Sequence, residues 1–122
     1  MSITPFQALA CPLDGKPLSW SDNVWRCSDG HSFDIAKQGY VNLLPVQQKR
    51  SHDPGDSKAM VAARQRFLKA EYYQPIAEAV SHAVLGHAEV QKADSLPFSC
   101  LDAGCGEGYY LRQLADAATN EQ

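Results

Sequence analysis

The first stretch of the chain, from residue 1 to about residue 48, alternates short apolar patches with turn-forming residues. This pattern is typical of small strands rather than of a helix. Trp20 and Trp25 flank the polar run Ser21-Asp22-Asn23-Val24, which predicts a β-hairpin with a polar turn. Apolar patches between Ile35 and Val46, interrupted at Gly39, predict further short strands.

The second stretch, from about residue 49 to residue 96, begins with a polar linker and continues with helical periodicity. Asp56 or Ser57 can cap a helix that runs to about Ala70. A second helix is expected from Gln74, with Pro75 in its first turn and Gly86 as its stop. The predicted buried positions are Met60, Ala63 and Phe67, with Val61 and Leu68 alongside, in the first helix, and Ile76, Val80 and Val84 in the second.

The third stretch predicts a strand followed by a glycine-rich turn and a helix. Residues 97–102 form an apolar run ending at Asp102, three glycines follow at alternate positions, and Tyr110 to Ala118 has helical character. This order is that of a Rossmann-like sheet turning into its first helix, where glycines let the backbone approach a ligand. Cys100 in the predicted buried strand and Cys105 in the loop are expected to be small packing residues.

Composition and charge indicate a globular protein with an uneven charge distribution. No run approaches the ~20 apolar residues of a membrane span, and no secretory signal precedes the first cysteine, so we expect a cytoplasmic protein. Residues 1–70 hold nine Lys/Arg and six Asp/Glu, a balance of +3, whereas residues 71–122 hold two and eight, a balance of −6. The positive balance of residues 1–70 indicates either a surface that binds an anion or ordinary variation of surface charge.

Two cysteines and a histidine in the first stretch have the spacing of a zinc site with one anomaly. A typical site has Cys-x2-Cys, then about twelve residues, then a further pair of Cys or His ligands. Cys11, Cys27 and His31 fit this spacing, but Asp14 stands where the second cysteine would be. We expect one structural zinc on these four residues. The alternative is a hairpin that has lost its metal and packs around its tryptophans.

The charge of the glycine loop favours one cofactor class over another. Asp102 precedes the glycines and Glu107 lies between them, so two carboxylates would repel a pyrophosphate. They suit a ligand that carries a cation, such as S-adenosylmethionine. A dinucleotide is the weaker alternative.

These motifs together resemble a known family. The loop Leu101 to Tyr110 is similar to the first motif of class I methyltransferases, and the stretch His31 to Pro45 is more specific. With Asp53-Pro54-Gly55-Asp56-Ser57 and Tyr72-Tyr73-Gln74-Pro75, it resembles the bacterial 23S rRNA (guanine-N1)-methyltransferases. The resemblance extends from Cys11 to Tyr110.

The resemblance implies roles for individual residues. It implies a zinc module on Cys11, Asp14, Cys27 and His31 that helps to recognise RNA. It implies a cofactor site whose residues are Tyr73, Asp102, Gly104, Cys105, Gly106, Glu107, Gly108, Tyr109 and Tyr110. It assigns no catalytic base. Candidate phosphate contacts for the 23S rRNA partner are Lys37, Lys49, Arg50, Arg64 and Arg66.

The fold class expected from both lines of reasoning is α+β. It comprises a zinc-ribbon-like β module over residues 1–48, a linker with two helices over 49–96, and the truncated start of a Rossmann-like α/β methyltransferase domain over 97–122. The family's ribose-binding acidic residue and guanine pocket would fall beyond Gln122, so we expect this chain alone to be inactive. The alternatives are a stand-alone zinc-ribbon RNA-binding module and a pseudo-enzyme completed by a partner. The sequence does not decide whether the protein is a monomer or a homodimer.

Overall fold

The computed structural model describes residues 3–45, 55–91 and 98–120, and the backbone divides into two compact units. The N-terminal unit is Pro5–Pro54, and the C-terminal unit is Gly55–Gln122 together with Met1–Thr4. The boundaries predicted from sequence, at residues 48 and 96, stay predictions.

A three-stranded antiparallel sheet organises the N-terminal unit. Its strands are β1 (Ser19–Ser21), β2 (Val24–Arg26) and β3 (Ser32–Asp34), in the order β1-β2-β3. Asp22 and Asn23 connect the first two with φ of 48° and 64°, as a two-residue type I′ hairpin turn requires. The predicted hairpin is therefore confirmed. After β3, the described residues of the predicted strand region form only a bridge between Ile35 and Val41.

The core of the N-terminal unit is small. Among the described residues, only Cys11, Leu18 and Cys27 are buried, with Leu9, Trp25, Phe33 and Leu43 packed against them. Trp20 is 60% exposed, so the hairpin does not pack around both tryptophans. Two of the three buried side chains are thiols, and apolar burial on this scale cannot hold such a unit by itself.

Three helices form the C-terminal unit: α1 (Lys58–Lys69), α2 (Gln74–Gln91) and α3 (Tyr109–Asn120). Ser57 is the N-cap of α1, and its hydroxyl accepts a hydrogen bond from the Met60 amide at 3.2 Å, as predicted. The predicted stop at Gly86 is wrong, because α2 continues to Gln91. A single helical glycine costs only about 1 kcal/mol, which the packing of α2 on α3 offsets.

The buried faces of α1 and α2 differ from those predicted. In α1, Met60 and Phe67 are exposed and only Leu68 is buried. In α2, Ile76 and Val80 are 51% and 42% exposed and Val84 is half-buried, whereas the buried residues are Ala77, Ser81, Leu85 and Ala88. Three of these four side chains are small, which lets helix backbones approach closely, so this face packs inward although the adjacent face of α2 is more apolar.

The predicted strand before the glycine loop is absent. Residues 98–102 have no strand conformation, and Leu101 is 90% exposed. Cys100 and Cys105 are also exposed, so the expectation that both are packing residues is wrong. A parallel strand needs a neighbour for its backbone hydrogen bonds, and the described residues of this unit provide no other strand. The fold observed is therefore a small α+β arrangement, without a Rossmann-like sheet in its described part.

Candidate metal centre and glycine loop

Two tight turns of the N-terminal unit present the predicted metal ligands. The Gly15 amide donates to the Cys11 carbonyl at 2.8 Å, and the Gly30 amide donates to the Cys27 carbonyl at 3.1 Å. Both glycines have positive φ, 75° and 87°, where a side chain would be strained. A salt bridge of 2.8 Å between Lys16 and Asp29 joins the two turns, a contact that the sequence analysis did not identify.

The four predicted ligands converge. The candidate donor atoms of Cys11, Asp14, Cys27 and His31, called here the Cys–Asp–His cluster, all lie within 4.8 Å of one another. His31 Nδ1 lies 3.0 Å from Asp14 Oδ2, 3.4 Å from Cys27 Sγ and 3.6 Å from Cys11 Sγ. Zinc bonds of 2.0–2.3 Å at tetrahedral angles place ligand atoms about 3.3–3.8 Å apart. The distances from His31 Nδ1 are close to this range, so these four residues could hold one zinc ion.

The backbone orients the Asp14 carboxylate toward the cluster. Its Oδ1 accepts a hydrogen bond from the Lys16 amide at 2.8 Å, while Oδ2 lies 3.2 Å from Cys27 Sγ. The Lys16 amide is the largest cause that holds the pKa of Asp14 well below its usual range, with smaller contributions from hydrogen bonds to the cluster side chains. Asp14 is therefore ionised and offers one oxygen to a metal.

The pKa of the Cys27 thiol is shifted in the opposite direction from that of Asp14. Burial raises its pKa, and the neighbouring Asp14 carboxylate raises it further. Cys11 and Cys27 are 2% and 5% exposed. Thiolates and a carboxylate crowded together repel one another unless a cation is bound between them. The donor set of two thiolates, one carboxylate and one imidazole suits Zn²⁺, which would offset most of its negative charge and link the two turns. Protein groups would fill all four positions of such a site, as in structural rather than catalytic zinc sites.

The glycine loop of the C-terminal unit has the backbone conformation that its sequence requires. Gly104, Gly106 and Gly108 have φ of 66°, 61° and 85°, a region that residues with a Cβ rarely adopt. The Gly108 amide donates to the Cys105 carbonyl at 3.0 Å, and α3 begins at the next residue. The loop thus leads into a helix N-terminus. The Arg64 and Arg112 side chains lie beside it, 3.9 Å and 3.5 Å from where a Cβ on Gly106 and Gly108 would stand.

Glu107 does not face the loop as a free carboxylate. Arg112 donates to Glu107 Oε2 and to the Glu107 carbonyl, each at 2.6 Å. The Glu107 side chain is 7% exposed, and its Oε1 is buried without a hydrogen-bond partner among the described residues. Arg112 therefore balances one of the two carboxylates that would repel a pyrophosphate, so the loop disfavours a dinucleotide less than its sequence predicts. Arg112, one turn into α3, was not recognised in the sequence.

Other residues of the predicted cofactor set are placed differently. Asp102 and Tyr110 line an open groove of about 380 Å³ together with apolar side chains of α2 and α3, a volume typical of small-molecule sites. Tyr109 is buried, and its hydroxyl donates to Gln74 Oε1 at 2.9 Å. Tyr73 is 37% exposed and packs edge-on against Phe67 at 5.1 Å. The groove thus brings together two of the nine predicted residues, and the roles of all nine stay predictions.

The predicted RNA contacts fall in both units. Lys37 is exposed in the N-terminal unit, and Arg64 and Arg66 are exposed on α1. Lys49 and Arg50 lie outside the described residues. No helix in the described ranges is long and apolar enough to cross a membrane.

Comparison with known proteins agrees with this geometry. Residues 9–52 match the zinc-ribbon family described as "RlmA, N-terminal". The chain is 38% identical over 108 residues to the 23S rRNA (guanine(748)-N(1))-methyltransferase of Streptomyces fradiae, covering 88% of this chain and 36% of that protein. It is 40% identical over 121 residues to a protein of Micromonospora griseorubida named as a 23S rRNA (guanine-N(1)-)-methyltransferase, covering 89% and 40%. A Bacillus subtilis (strain 168) protein with the same designation, YxjB, is 34% identical over 116 residues, covering 89% and 37%.

The matches define the class of protein first: the N-terminal unit is a zinc ribbon of the RlmA N-terminal type. The resemblance that its motifs predicted is confirmed: over 88–89% of its length the chain is 34–40% identical to proteins named as 23S rRNA (guanine-N1)-methyltransferases. The matched part is 36–40% of the length of these relatives.

Proposed function

We propose that this chain is the N-terminal part of an enzyme that transfers a methyl group from S-adenosylmethionine to N1 of a guanine in 23S rRNA. The observation that carries the proposal is the 34–40% identity to proteins of that name, which extends over 88–89% of the chain. The left-handed glycines of the loop and the adjoining groove at Asp102 support it. An rRNA substrate would also agree with a cytoplasmic location.

In the proposed enzyme, this chain's residues bind and position rather than exchange protons. Cys11, Asp14, Cys27 and His31 would hold one zinc ion, which stabilises the turns that carry them. Asp102 and the backbone of residues 104–108 would lie against S-adenosylmethionine, whose sulfonium supplies the methyl group. A modified base must leave its stack to reach such a site, and exposed cations such as Lys37 would contact the neighbouring phosphates.

The methyltransferase proposal is tested with a chimera, because the chain spans less than half of its relatives. The Streptomyces fradiae relative, with its N-terminal part replaced by this chain, should methylate a 23S rRNA transcript. N1 lies on the pairing edge of guanine, so the product stops reverse transcription at one nucleotide. Asp102→Ala in the chimera should abolish the stop, and Asp116→Ala, at an exposed position in the second half of α3, is the matched control. A folded chimera that leaves every guanine unmodified contradicts the proposal.

We propose further that the 122-residue chain alone does not methylate RNA and binds S-adenosylmethionine weakly or not at all. The alternative is a zinc-ribbon RNA-binding module without catalysis, which the absence of a strand at residues 98–102 favours. Calorimetric titration of the chain with S-adenosylmethionine tests the weak cofactor binding that both expect, and titration with RNA tests the binding that the alternative requires. Micromolar cofactor binding by the chain alone would exclude both the alternative and the expectation of weak binding.

A further inference from the structure

Three aromatic rings form a cluster at the end of α1 that is not buried. The rings of Phe67 and Tyr72 are stacked, with centroids 5.1 Å apart and planes 18° from parallel, and Tyr73 meets Phe67 edge-on at 5.1 Å. Aromatic side chains usually cluster in cores, where they bury a large apolar area. Here Phe67 is 43% and Tyr72 70% exposed. The cluster therefore contributes little to the core of this unit.

The stacking orients Tyr72. Phe67 covers one face of the Tyr72 ring, and the 70% exposure of Tyr72 leaves the opposite face in solvent. A ring held in this way loses little conformational entropy when a planar ligand stacks on its open face. Tyr72 is thus a preorganised stacking surface.

The backbone that places Tyr72 is strained. Glu71, between α1 and Tyr72, has φ of 69°, which a glycine would adopt without cost. Its amide donates to the Leu68 carbonyl at 3.1 Å, and its carbonyl accepts from the Gln74 amide at 3.2 Å. This turn directs the chain back so that Tyr72 and Tyr73 reach Phe67. Strain of this kind persists where the surrounding structure requires one conformation, and it is common at binding sites.

The charge of α1, the helix that ends at the cluster, indicates what would stack there, and Glu71 in the turn before Tyr72 is the exposed acidic residue beside it. Helix α1 carries four cationic residues, Lys58, Arg64, Arg66 and Lys69, and no acidic residue. All four are exposed. An apolar protein partner would not need this charge, and a phosphate-rich partner without bases would not need the rings. Aromatic rings beside cations are how proteins bind single-stranded nucleic acid.

We propose that Tyr72, supported by Phe67, stacks on an unpaired base of a single-stranded RNA segment whose phosphates contact the cations of α1. The inference rests on the proposed function only for the choice of RNA as the partner. It adds a base-contacting surface, separate from the zinc ribbon, on the unit that carries the glycine loop. Bases in a duplex are already stacked, so the surface selects unpaired RNA.

The first experiment measures binding of the 122-residue chain, without cofactor, to a fluorescein-labelled single-stranded RNA by anisotropy. Tyr72→Ala should weaken binding about 5- to 100-fold, and Tyr72→Trp should retain it. Phe98→Ala, which removes another half-exposed ring of the same unit, is the matched control and should change little. Equal affinity of Tyr72→Ala and the unmodified chain would overturn the proposal, as would equal affinity for single-stranded and duplex RNA.

A second experiment separates stacking from charge. Inorganic polyphosphate carries the charge of RNA without its bases, so Tyr72→Ala should bind it as the unmodified chain does. Arg66→Gln should weaken binding of both polymers.

A 2-aminopurine base in the RNA reports stacking directly, independently of affinity. The unmodified chain should quench its fluorescence. Tyr72→Leu, which keeps an apolar side chain on Phe67, should not. Equal quenching by both would overturn the proposal, whatever the outcome of the methylation assay on the chimera.

Discussion

Gln74 and Tyr109 are joined by a hydrogen bond that links α2 to α3 next to the glycine loop. Gln74 Oε1 accepts from the Tyr109 hydroxyl at 2.9 Å, and Gln74 Nε2 donates to Gln113 Oε1 at 2.9 Å. Tyr109 directly follows Gly108, the last glycine of the loop. Gln74, the residue before Pro75, thus connects α2 to the helix that follows the loop.

Gln74 and Tyr109 should be energetically coupled. Gln74→Ala and Tyr109→Phe each lower the denaturant midpoint of the C-terminal unit, because each removes one partner of the same hydrogen bond. The double variant should be destabilised by less than the sum of the two single variants. Urea unfolding followed by circular dichroism measures this, and strict additivity would show that the bond contributes nothing.

Tyr109 should also make the C-terminal unit sensitive to alkali. Burial raises the pKa of Tyr109 above its ordinary value near 10, and Tyr110 and nearby glutamates raise it further. The folded state thus favours the neutral phenol. Its stabilising contribution is complete below pH about 10 and is lost as the pH rises through the pKa of the folded state. Tyr109→Phe should flatten the decline of the urea midpoint above pH about 10, whereas Tyr40→Phe, at an exposed tyrosine, should not.

The helix faces can be checked by truncation. Leu68 is 2% exposed in the cluster with Ala77 and Tyr109, so Leu68→Ala should lower the free energy of unfolding by about 2–4 kcal/mol. Met60 has a side chain of similar size on the same helix but is 57% exposed. Met60→Ala should change the free energy of unfolding by no more than about 0.5 kcal/mol. Similar losses at both positions would contradict the buried face described above.

Asp14 should weaken zinc binding relative to a cysteine at the same position without preventing it. The purified chain should contain close to one zinc per molecule, and a chelator should unfold the N-terminal unit. Asp14→Cys should tighten zinc in chelator competition because thiolates are softer ligands, and Asp14→Ala should weaken it by about tenfold or more. Cobalt spectra report the number of thiolates directly. A well-folded N-terminal unit that contains no metal would contradict the zinc assignment.

The Arg112–Glu107 pair should stabilise the glycine loop. Arg112→Ala leaves a carboxylate that is 7% exposed without its cation, and because Arg112 itself is 51% exposed we expect a loss of about 1–3 kcal/mol. Adding Glu107→Gln to that variant should restore part of the loss, since the buried charge is then removed. Hydrogen exchange of the Gly108 amide, which bonds to the Cys105 carbonyl, follows the loop specifically. Unchanged exchange in Arg112→Ala would mean that the pair is only a surface contact.

Features that depend on residues near each other in the chain were predictable from the sequence. The Asp22-Asn23 turn, the Ser57 cap and the glycines of the loop adopt the expected conformations, because short-range sterics and hydrogen bonds decide them. The Cys–Asp–His cluster was also predictable, since its spacing matches two turns joined by a hairpin. The end of α2 was not, because the cost of Gly86 is small beside the packing of a whole helix.

What the sequence by itself determined is the hairpin, the presence of the three helices, the metal-ligand spacing and the resemblance to a family. Only the tertiary structure decided which side of α2 is buried, because Ile76 and Ala77 are both apolar and their burial depends on what packs against them. It also decided that residues 98–102 form no strand, since a strand requires a partner. Finally, it paired Glu107 with Arg112 and left Tyr72 stacked but exposed. Burial and charge pairing are set by neighbours in space, which residue order alone does not specify.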